Sequence, residues 1–240
     1  MVRGDDFRIL SKIYVGNEKK PASRNTTLFT SGLVYDCMTH PEEEIVVFDP
    51  LRSRFVFLQP RGRVRAELSL KEVSDFVFRL REKLKGGRGM WAFFANPDFN
   101  RVALSKEEVT FRGKWLTYDM KTRAAKTPSI ANQYADFSNW YTRLNAMKNP
   151  GLLARLPVNE YLKAQGQLPT KIDLTIYRKT ALGLMKEQAR FRSEHVVVHS
   201  LSRDDREKID QIGRWLVQFD PVNYSEYKKL AEDRQKTASR

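Results

Sequence analysis

Histidine and cysteine side chains can both bind metal ions and take part in catalysis. The sequence contains three histidines and one cysteine. His195 and His199 stand four residues apart, a spacing that on a helix would direct both imidazoles at one metal ion. The three valines between them are typical of a β-strand instead. At about 3.3 Å per residue, a strand would hold the two side chains about 13 Å apart. This pair therefore predicts no metal site.

Cys37 is the only cysteine, so the chain can form no internal disulfide. His40 follows it with C-x-x-H spacing, but no second pair of this kind is present to complete a zinc site. We therefore expect Cys37 to be a small, buried hydrophobic side chain.

The sequence contains none of the motifs G-x-G-x-x-G, G-x-x-x-x-G-K-[ST] or G-x-S-x-G, which mark nucleotide binding and acyl transfer. Residues 86–89 are rich in glycine, but they follow a predicted helix, whereas a phosphate-binding loop precedes one. We therefore predict that the protein is not an enzyme and uses no cofactor and no metal.

Five arginines form a second candidate site in a chain whose net charge is +14. Arg61, Arg63 and Arg65 recur with period two and would project from one face of a strand. Arg52 and Arg54 lie in the preceding turn and would join them. Such a cluster suits the phosphates of nucleic acid or another anionic surface. The same pattern also fits a row of solvated arginines without a ligand, and both interpretations stay open.

The elements that position these arginines are three predicted strands within residues 44–68. Apolar β-branched and aromatic residues at 45–48, 55–58 and 64–68 are separated by turns rich in proline, glycine and aspartate. Three further strands are predicted upstream, at 7–15, 24–30 and 33–38. Connections this short join antiparallel strands, because a parallel pair needs a crossover of a dozen or more residues.

The first two strands of this meander are apolar on both faces, so we expect both faces to be covered. One cover is predicted to be helical, and the other is either more of the protein or a cavity for a ligand. Val47, Phe55, Phe57 and Trp115 are the candidate lining of such a cavity.

The rest of the chain predicts helices and further strands. Ser69 and Glu72 form a capping box at the start of an amphipathic helix. The other predictions are a buried strand at 90–95, a hairpin at 108–120, a helix at 130–148, a short helix at 159–165, strands at 172–177 and 188–199, and a last helix that begins at 202–205. The predicted fold is α+β: one domain over residues 1–227 with a large, curved antiparallel sheet and helices packed on one face. Residues 228–240 are predicted to be a polar, frayed tail.

The stretches SGLVYDCM (31–38) and VVFDPLRSRFVFL (46–58) are similar to a strand–turn pattern of the periplasmic lipoprotein-carrier and outer-membrane lipoprotein-sorting proteins. The order of elements also resembles the half-barrel of that family. The chain departs from the family in opening with a predicted strand instead of a long amphipathic helix, and its first residues lack the apolar run of a signal peptide. The resemblance implies a concave, apolar sheet face that binds a lipid or acyl chain under helical lids. No ligand-binding residue of that family is assigned to a position in this chain.

These observations predict a non-enzymatic binding protein for an apolar ligand, a lipid or a lipidated partner. Binding of nucleic acid or an anionic surface through the arginines is the first alternative, and an interaction module without a small ligand is the second. No apolar run is long enough for a transmembrane helix. We expect a periplasmic or secreted location if a signal peptide has been removed, and a cytoplasmic one otherwise. The oligomeric state stays open.

Overall fold

A computed structural model describes residues 5–40, 43–181 and 184–238, with the backbone alone for 232–238. Its strands are β1 (Phe7–Val15), β2 (Ser23–Thr30), β3 (Leu33–His40), β4 (Glu44–Asp49), β5 (Arg54–Gln59), β6 (Val64–Ser69), β7 (Asn100–Ala103), β8 (Glu108–Arg112), β9 (Leu116–Ala124), β10 (Gln167–Lys179), β11 (Met185–Val198) and β12 (Asp220–Pro221). Its α-helices are α1 (Leu70–Lys85), α2 (Met90–Ala95), α3 (Pro128–Ala146), α4 (Leu156–Ala164), α5 (Arg203–Gln218) and α6 (Tyr224–Ala238). Short 3-10 turns lie at Pro60–Gly62 and Pro150–Arg155.

All the strands in the described part of the chain belong to one curved, unclosed sheet, in the order β12-β6-β5-β4-β3-β2-β1-β11-β10-β9-β8-β7. Neighbours are antiparallel except β12, which pairs with β6 in parallel. Strand β1 joins the two halves of the sheet. It pairs with β2 on one side and, over eight residue pairs from Arg8↔Val198 to Val15↔Phe191, with β11 on the other. The predicted α+β class and large curved antiparallel sheet are confirmed.

We call one face of the sheet the inner face, because most of the helices pack on it. Phe7, Phe29, Phe48 and Phe55 point to this face and form one buried cluster with Phe137 of α3. The rings of Phe29 and Phe137 meet edge to face with their centroids 5.7 Å apart. Helix α1 begins with the predicted capping box and adds Leu70 and Val73 to the same cluster.

A second cluster on the inner face lies where α2, α4 and the turn Pro150–Arg155 cover β8 and β9. Residues 90–95 were predicted to be a strand and form the helix α2 instead. An uninterrupted apolar run of six residues has no periodicity that separates strand from helix. In the helix, Phe94 is buried against this cluster while Trp91 is 48% exposed.

The opposite face, which we call the outer face, is covered by α5 over the first half of the sheet. Ile212 of α5 and Phe219 beyond it pack on Val47, Val56 and Leu58. The predicted packing of helices on one face holds for most of the helices, and α5 is the exception. The position of α5 means that the second apolar face of β4 and β5 is filled by the protein itself.

Helix α6 runs from Tyr224 to Ala238, across the predicted boundary at residue 228. The rings of Tyr224 and Tyr227 lie 4.9 and 5.7 Å from that of Phe57, so the first turn of this helix packs on the inner face. Residues 239–240 of the predicted tail lie outside the described residues. In the described part of the chain, no helix has the length and hydropathy needed to cross a membrane.

The packing of α5 on the outer face yields a stability prediction. Ile212 is fully buried, whereas Val217 of the same helix is 84% exposed. Ile212→Ala should lower the free energy of unfolding by about 3 kcal/mol, because it leaves a cavity between the helix and the sheet. Val217→Ala should change it by less than about 0.5 kcal/mol. Urea unfolding of both variants measures this, and equal effects would show that α5 does not pack as described.

Candidate functional site

The four side chains predicted to line a cavity do not come together. Val47 is buried on the outer face beneath α5, whereas Phe55 and Phe57 are buried on the inner face. Trp115 lies in the turn between β8 and β9, where the Lys114 ammonium sits 5.8 Å from its ring centroid. Alternation along β4 and β5 indicated two apolar faces but not which elements cover each. A ligand-binding role for these residues stays a prediction.

The five arginines do not form a ladder on one strand. Arg61 belongs to the 3-10 turn Pro60–Gly62, and Arg63 follows it with a φ of 51° in the left-handed region. Only Arg65 lies in β6, because the turn interrupts the period-two pattern.

Three of these arginines are already paired with carboxylates. Arg52 lies 3.1 Å from Asp49, and Arg54 and Arg65 lie 2.6 and 2.8 Å from Glu67. These pairs neutralise much of the charge that would attract a polyanion. Binding of an anion by these arginines stays a prediction.

Cys37 is buried on the outer face at 6% exposure, as predicted. Burial is the main cause that raises the pKa of its thiol to about 12, so the thiol is protonated and unreactive at neutral pH. Among the described residues, no group of three or more His, Cys, Asp or Glu side chains is arranged to hold a metal ion.

A row of polar side chains crosses the inner face from β3 to β11, and we call it the polar belt. Its members are Ser11, Asn25, Thr27, Asp36, Ser193 and His195. At one end, Asp36 accepts hydrogen bonds from Thr27 (2.6 Å), Asn25 (2.8 Å) and Tyr141 of α3 (2.8 Å). At the other end, His195 lies 2.8 Å from the Ser11 hydroxyl through Nδ1 and 3.0 Å from the Ser193 hydroxyl through Nε2.

Burial controls the charges of the belt. Burial raises the pKa of the Asp36 carboxyl above its ordinary value, and the hydrogen bonds from Thr27, Asn25 and Tyr141 oppose the rise. Burial, followed by the positive charge of Arg155, lowers the pKa of His195 to about 4. His195 is therefore a neutral imidazole at pH 7.

Arg155 brings a positive charge to the inner face from the turn that precedes α4. Its Nε donates to Asn159 at 2.8 Å, and its guanidinium lies 5.5 Å from the ring centroid of Tyr118. It forms no ion pair with any residue that the structure describes. This guanidinium is thus an uncompensated charge beside the neutral His195.

Beyond the polar belt the inner face becomes apolar again. It is exposed there on β1, while the apolar residues of β10 pack partly against the second cluster. We call this surface the apolar strip. It consists of Ile13 and Val15 of β1, Phe191 of β11, and Ile172, Leu174 and Ile176 of β10. Ile13 and Val15 are 37% and 42% exposed, and the other four are half-buried. The register places Val15 beside Phe191, and Phe191 beside Leu174, so the strip is continuous across three strands.

Sequence reasoning missed the belt and the strip because both depend on the pairing of β1 with β11. Ile13 and Phe191 stand in separate predicted strands, and no local pattern specifies that those strands are neighbours. Alternation did indicate that Ile9, Ile13 and Val15 share one face of β1.

Comparison with known proteins gives a weak likeness at the level of the fold. No protein-family profile matches the chain, and no curated protein matches it. The crystal structure of a LolA superfamily protein from Nitrosomonas europaea is similar to 84% of this chain over 89% of its own length. The sequence identity is 9% and the TM-score is 0.27, values too low to carry a functional argument.

The half-buried imidazole of His195 predicts a pH dependence of stability. His195 has a pKa of about 4 in the folded protein against an ordinary value of 6.5, so between these pH values the unfolded chain binds more protons. The free energy of unfolding should therefore fall as pH drops through this window, by up to about 3 kcal/mol. His195→Gln should remove that part of the loss, as measured by urea unfolding from pH 7 to pH 4.

Asp36 should affect the pH dependence of stability in the opposite direction. Its raised pKa means that the folded protein holds this proton more tightly, so its contribution falls as pH rises through the folded pKa. Asp36→Asn should therefore remove a loss of stability that begins as pH rises above the ordinary value of 3.8, as measured in the same urea series. If His195→Gln and the wild type lose the same free energy of unfolding between pH 7 and pH 4, the pKa of His195 is not lowered as described.

Proposed function

We propose that the protein is a non-enzymatic binding protein for a lipid or another amphiphile, whose apolar chain lies along the apolar strip of the inner face. The observation that carries this proposal is the exposure of Ile13 and Val15 on the face that elsewhere forms the buried core. Exposed apolar side chains of this kind gain free energy when an apolar ligand covers them.

The size of the strip is consistent with a chain-like ligand. Three adjacent strands span about 10 Å across the sheet. Each methylene group transferred from water to such a surface contributes about 0.8 kcal/mol. A micromolar affinity requires about 8 kcal/mol, which corresponds to about ten buried methylene groups before the costs of binding are counted.

The polar belt supports a binding role over a catalytic one. The contact between Ser11 and His195 has the spacing of a nucleophile and its base. However, the second nitrogen of His195 contacts the Ser193 hydroxyl instead of a carboxylate that would orient and polarise the ring. A histidine that is neutral and held between two hydroxyls suits the polar floor of a binding site.

The alternative of a polyanion-binding arginine face has less support, because Arg52, Arg54 and Arg65 already pair with Asp49 or Glu67. The proposal therefore places the ligand on the inner face and not on the arginines.

Two residues of β1 provide a matched test of the proposal. Ile13 is 37% exposed on the inner face, and Leu10 is 38% exposed on the outer face. Ile13→Asp should weaken binding of a fluorescent long-chain fatty acid at least about tenfold, because it places a carboxylate in the apolar strip. Leu10→Asp should leave the affinity unchanged. The measurement is a fluorescence titration of the full chain, with displacement by unlabelled fatty acid.

Native mass spectrometry of the freshly purified chain provides a second readout, since a carrier retains its ligand through gentle purification. Absence of any bound amphiphile, together with no saturable fluorescence signal, would contradict the proposal. Equal weakening in the Leu10 and Ile13 variants would place the ligand elsewhere.

A further inference from the structure

The hairpin formed by β10 and β11 extends beyond the strands on either side of it. The last residue of β10 that pairs with β9 is Ile176, and the first residue of β11 that pairs with β1 is Phe191. The pairing of β10 with β11 continues past both, to Lys179↔Met185. The end of this hairpin therefore projects past the ends of the neighbouring strands, next to the apolar strip.

The surface around the end of this hairpin carries many cations, and we call it the basic end. It comprises the projecting hairpin, the β1–β2 turn, the β8–β9 turn and the loop before α2. Its cations are Lys19, Lys20, Arg88, Arg112, Lys114, Arg178, Lys179, Lys186 and Arg190, all of them exposed. Within the described residues, none of them forms an ion pair. The acidic residues in the same segments are Glu18 and Glu187.

Several of these segments are held together by direct contacts. The backbone N–H of Gly16 donates to the carbonyl of Arg190, which joins the β1–β2 turn to β11. The backbone N–H of Tyr177 donates to the carbonyl of Trp115, which joins the β8–β9 turn to β10. The cations therefore lie on one surface and not on separate loops.

Exposed apolar side chains accompany the charges. Leu184 is 67% exposed and Met185 is 38% exposed, and both lie in the hairpin between Lys179 and Lys186. Trp91, which is 48% exposed, lies on α2, whose Phe93 side chain packs against Gly113 in the β8–β9 turn. Phosphates of nucleic acid would use the cations but not the aliphatic side chains. A bilayer with anionic headgroups uses both, because the cations remain at the headgroups while the apolar residues enter the boundary with the acyl chains.

We propose that the basic end docks on the surface of a bilayer that contains anionic phospholipid, with Leu184 and Met185 inserted among the headgroups. The apolar strip lies next to the basic end, so docking would bring the strip close to the bilayer. An amphiphile could then pass from the bilayer to the strip or back. The docking itself does not depend on the proposed ligand.

The experiment is co-flotation of the full chain with vesicles of phosphatidylcholine alone or with added phosphatidylglycerol. We expect binding at least about tenfold stronger to the anionic vesicles, and weaker as salt is raised, because the cations lie within a Debye length of the surface. Equal binding to both vesicles, or binding insensitive to salt, would overturn the proposal.

Two double variants test the surface itself. Lys179→Glu with Lys186→Glu should reduce binding to anionic vesicles at least about tenfold. The matched control is Arg123→Glu with Lys126→Glu, which makes the same change of charge with exposed residues at the opposite end of β9. This control should retain most of the binding. Equal losses in the two variants would show that net charge alone matters, which overturns a defined docking surface.

The apolar contribution separates a bilayer from nucleic acid. Leu184→Ser with Met185→Ser should weaken vesicle binding about tenfold without a change of charge. If this variant binds vesicles fully, and a single-stranded oligonucleotide competes with them at equal charge concentration, the surface binds polyanions and the bilayer proposal is wrong. Fatty-acid titration without vesicles reports separately on the proposed function, so failure of either proposal is distinguishable from failure of the other.

Discussion

The antiparallel pairing of β1 with β11 is the contact on which the rest of the architecture depends. It aligns residues 8–15 with residues 191–198, near the two ends of the chain. Without it, β1–β6 and β7–β11 would be two separate antiparallel meanders. A pairing between segments so distant in sequence has a high entropic cost of loop closure, which the ladder and the packing above it must offset. The polar belt and the apolar strip exist only because of this pairing.

The inner face is covered by helices except near Ile13 and Val15 of β1, because the helices are distributed unevenly over it. Helices α1, α3 and α6 cover the end that carries Phe29 and Phe55, where large aromatic side chains fill the space. The polar belt lies at the boundary, and its hydrogen bonds satisfy groups that would otherwise be costly to bury. Its titratable side chains respond to burial in opposite directions, since the pKa of Asp36 rises and that of His195 falls. Both shifts favour the uncharged form, as expected for a site with little access to water.

The sequence predicted those helices and strands that are specified by interactions between residues close together in the chain. The capping box at Ser69 and the β-branched runs of β4 and β5 gave the right elements, because caps and strand alternation act over a few residues. Residues 90–95 gave no periodicity to interpret, and the left-handed Arg63 interrupted a period-two pattern that looked regular in sequence.

The candidate site was less predictable than the fold, since both its lining and its cover come from distant parts of the chain. Val47 illustrates the difference. Its burial followed from the pattern of β4, but its partner on the outer face is a helix more than 150 residues later in the chain. Ile13 and Val15 likewise appeared to be ordinary strand residues until their neighbours in β11 were known.

The length and charge of the strands at the edges of the sheet determine how readily another chain can pair with them. The terminal strands β12 and β7 have two and four residues, and such short edges offer little backbone for another chain to pair with. The projecting part of β10 and β11 leaves longer edges unpaired, and there the sequence places Arg178, Lys179 and Lys186. Charged side chains on an exposed edge oppose pairing between copies of a sheet. The exposed Leu184 and Met185 work against that protection, because apolar residues at an unpaired edge promote association. The proposed docking on an anionic bilayer would use both features, since the headgroups attract the cations and the acyl chains accept the apolar side chains.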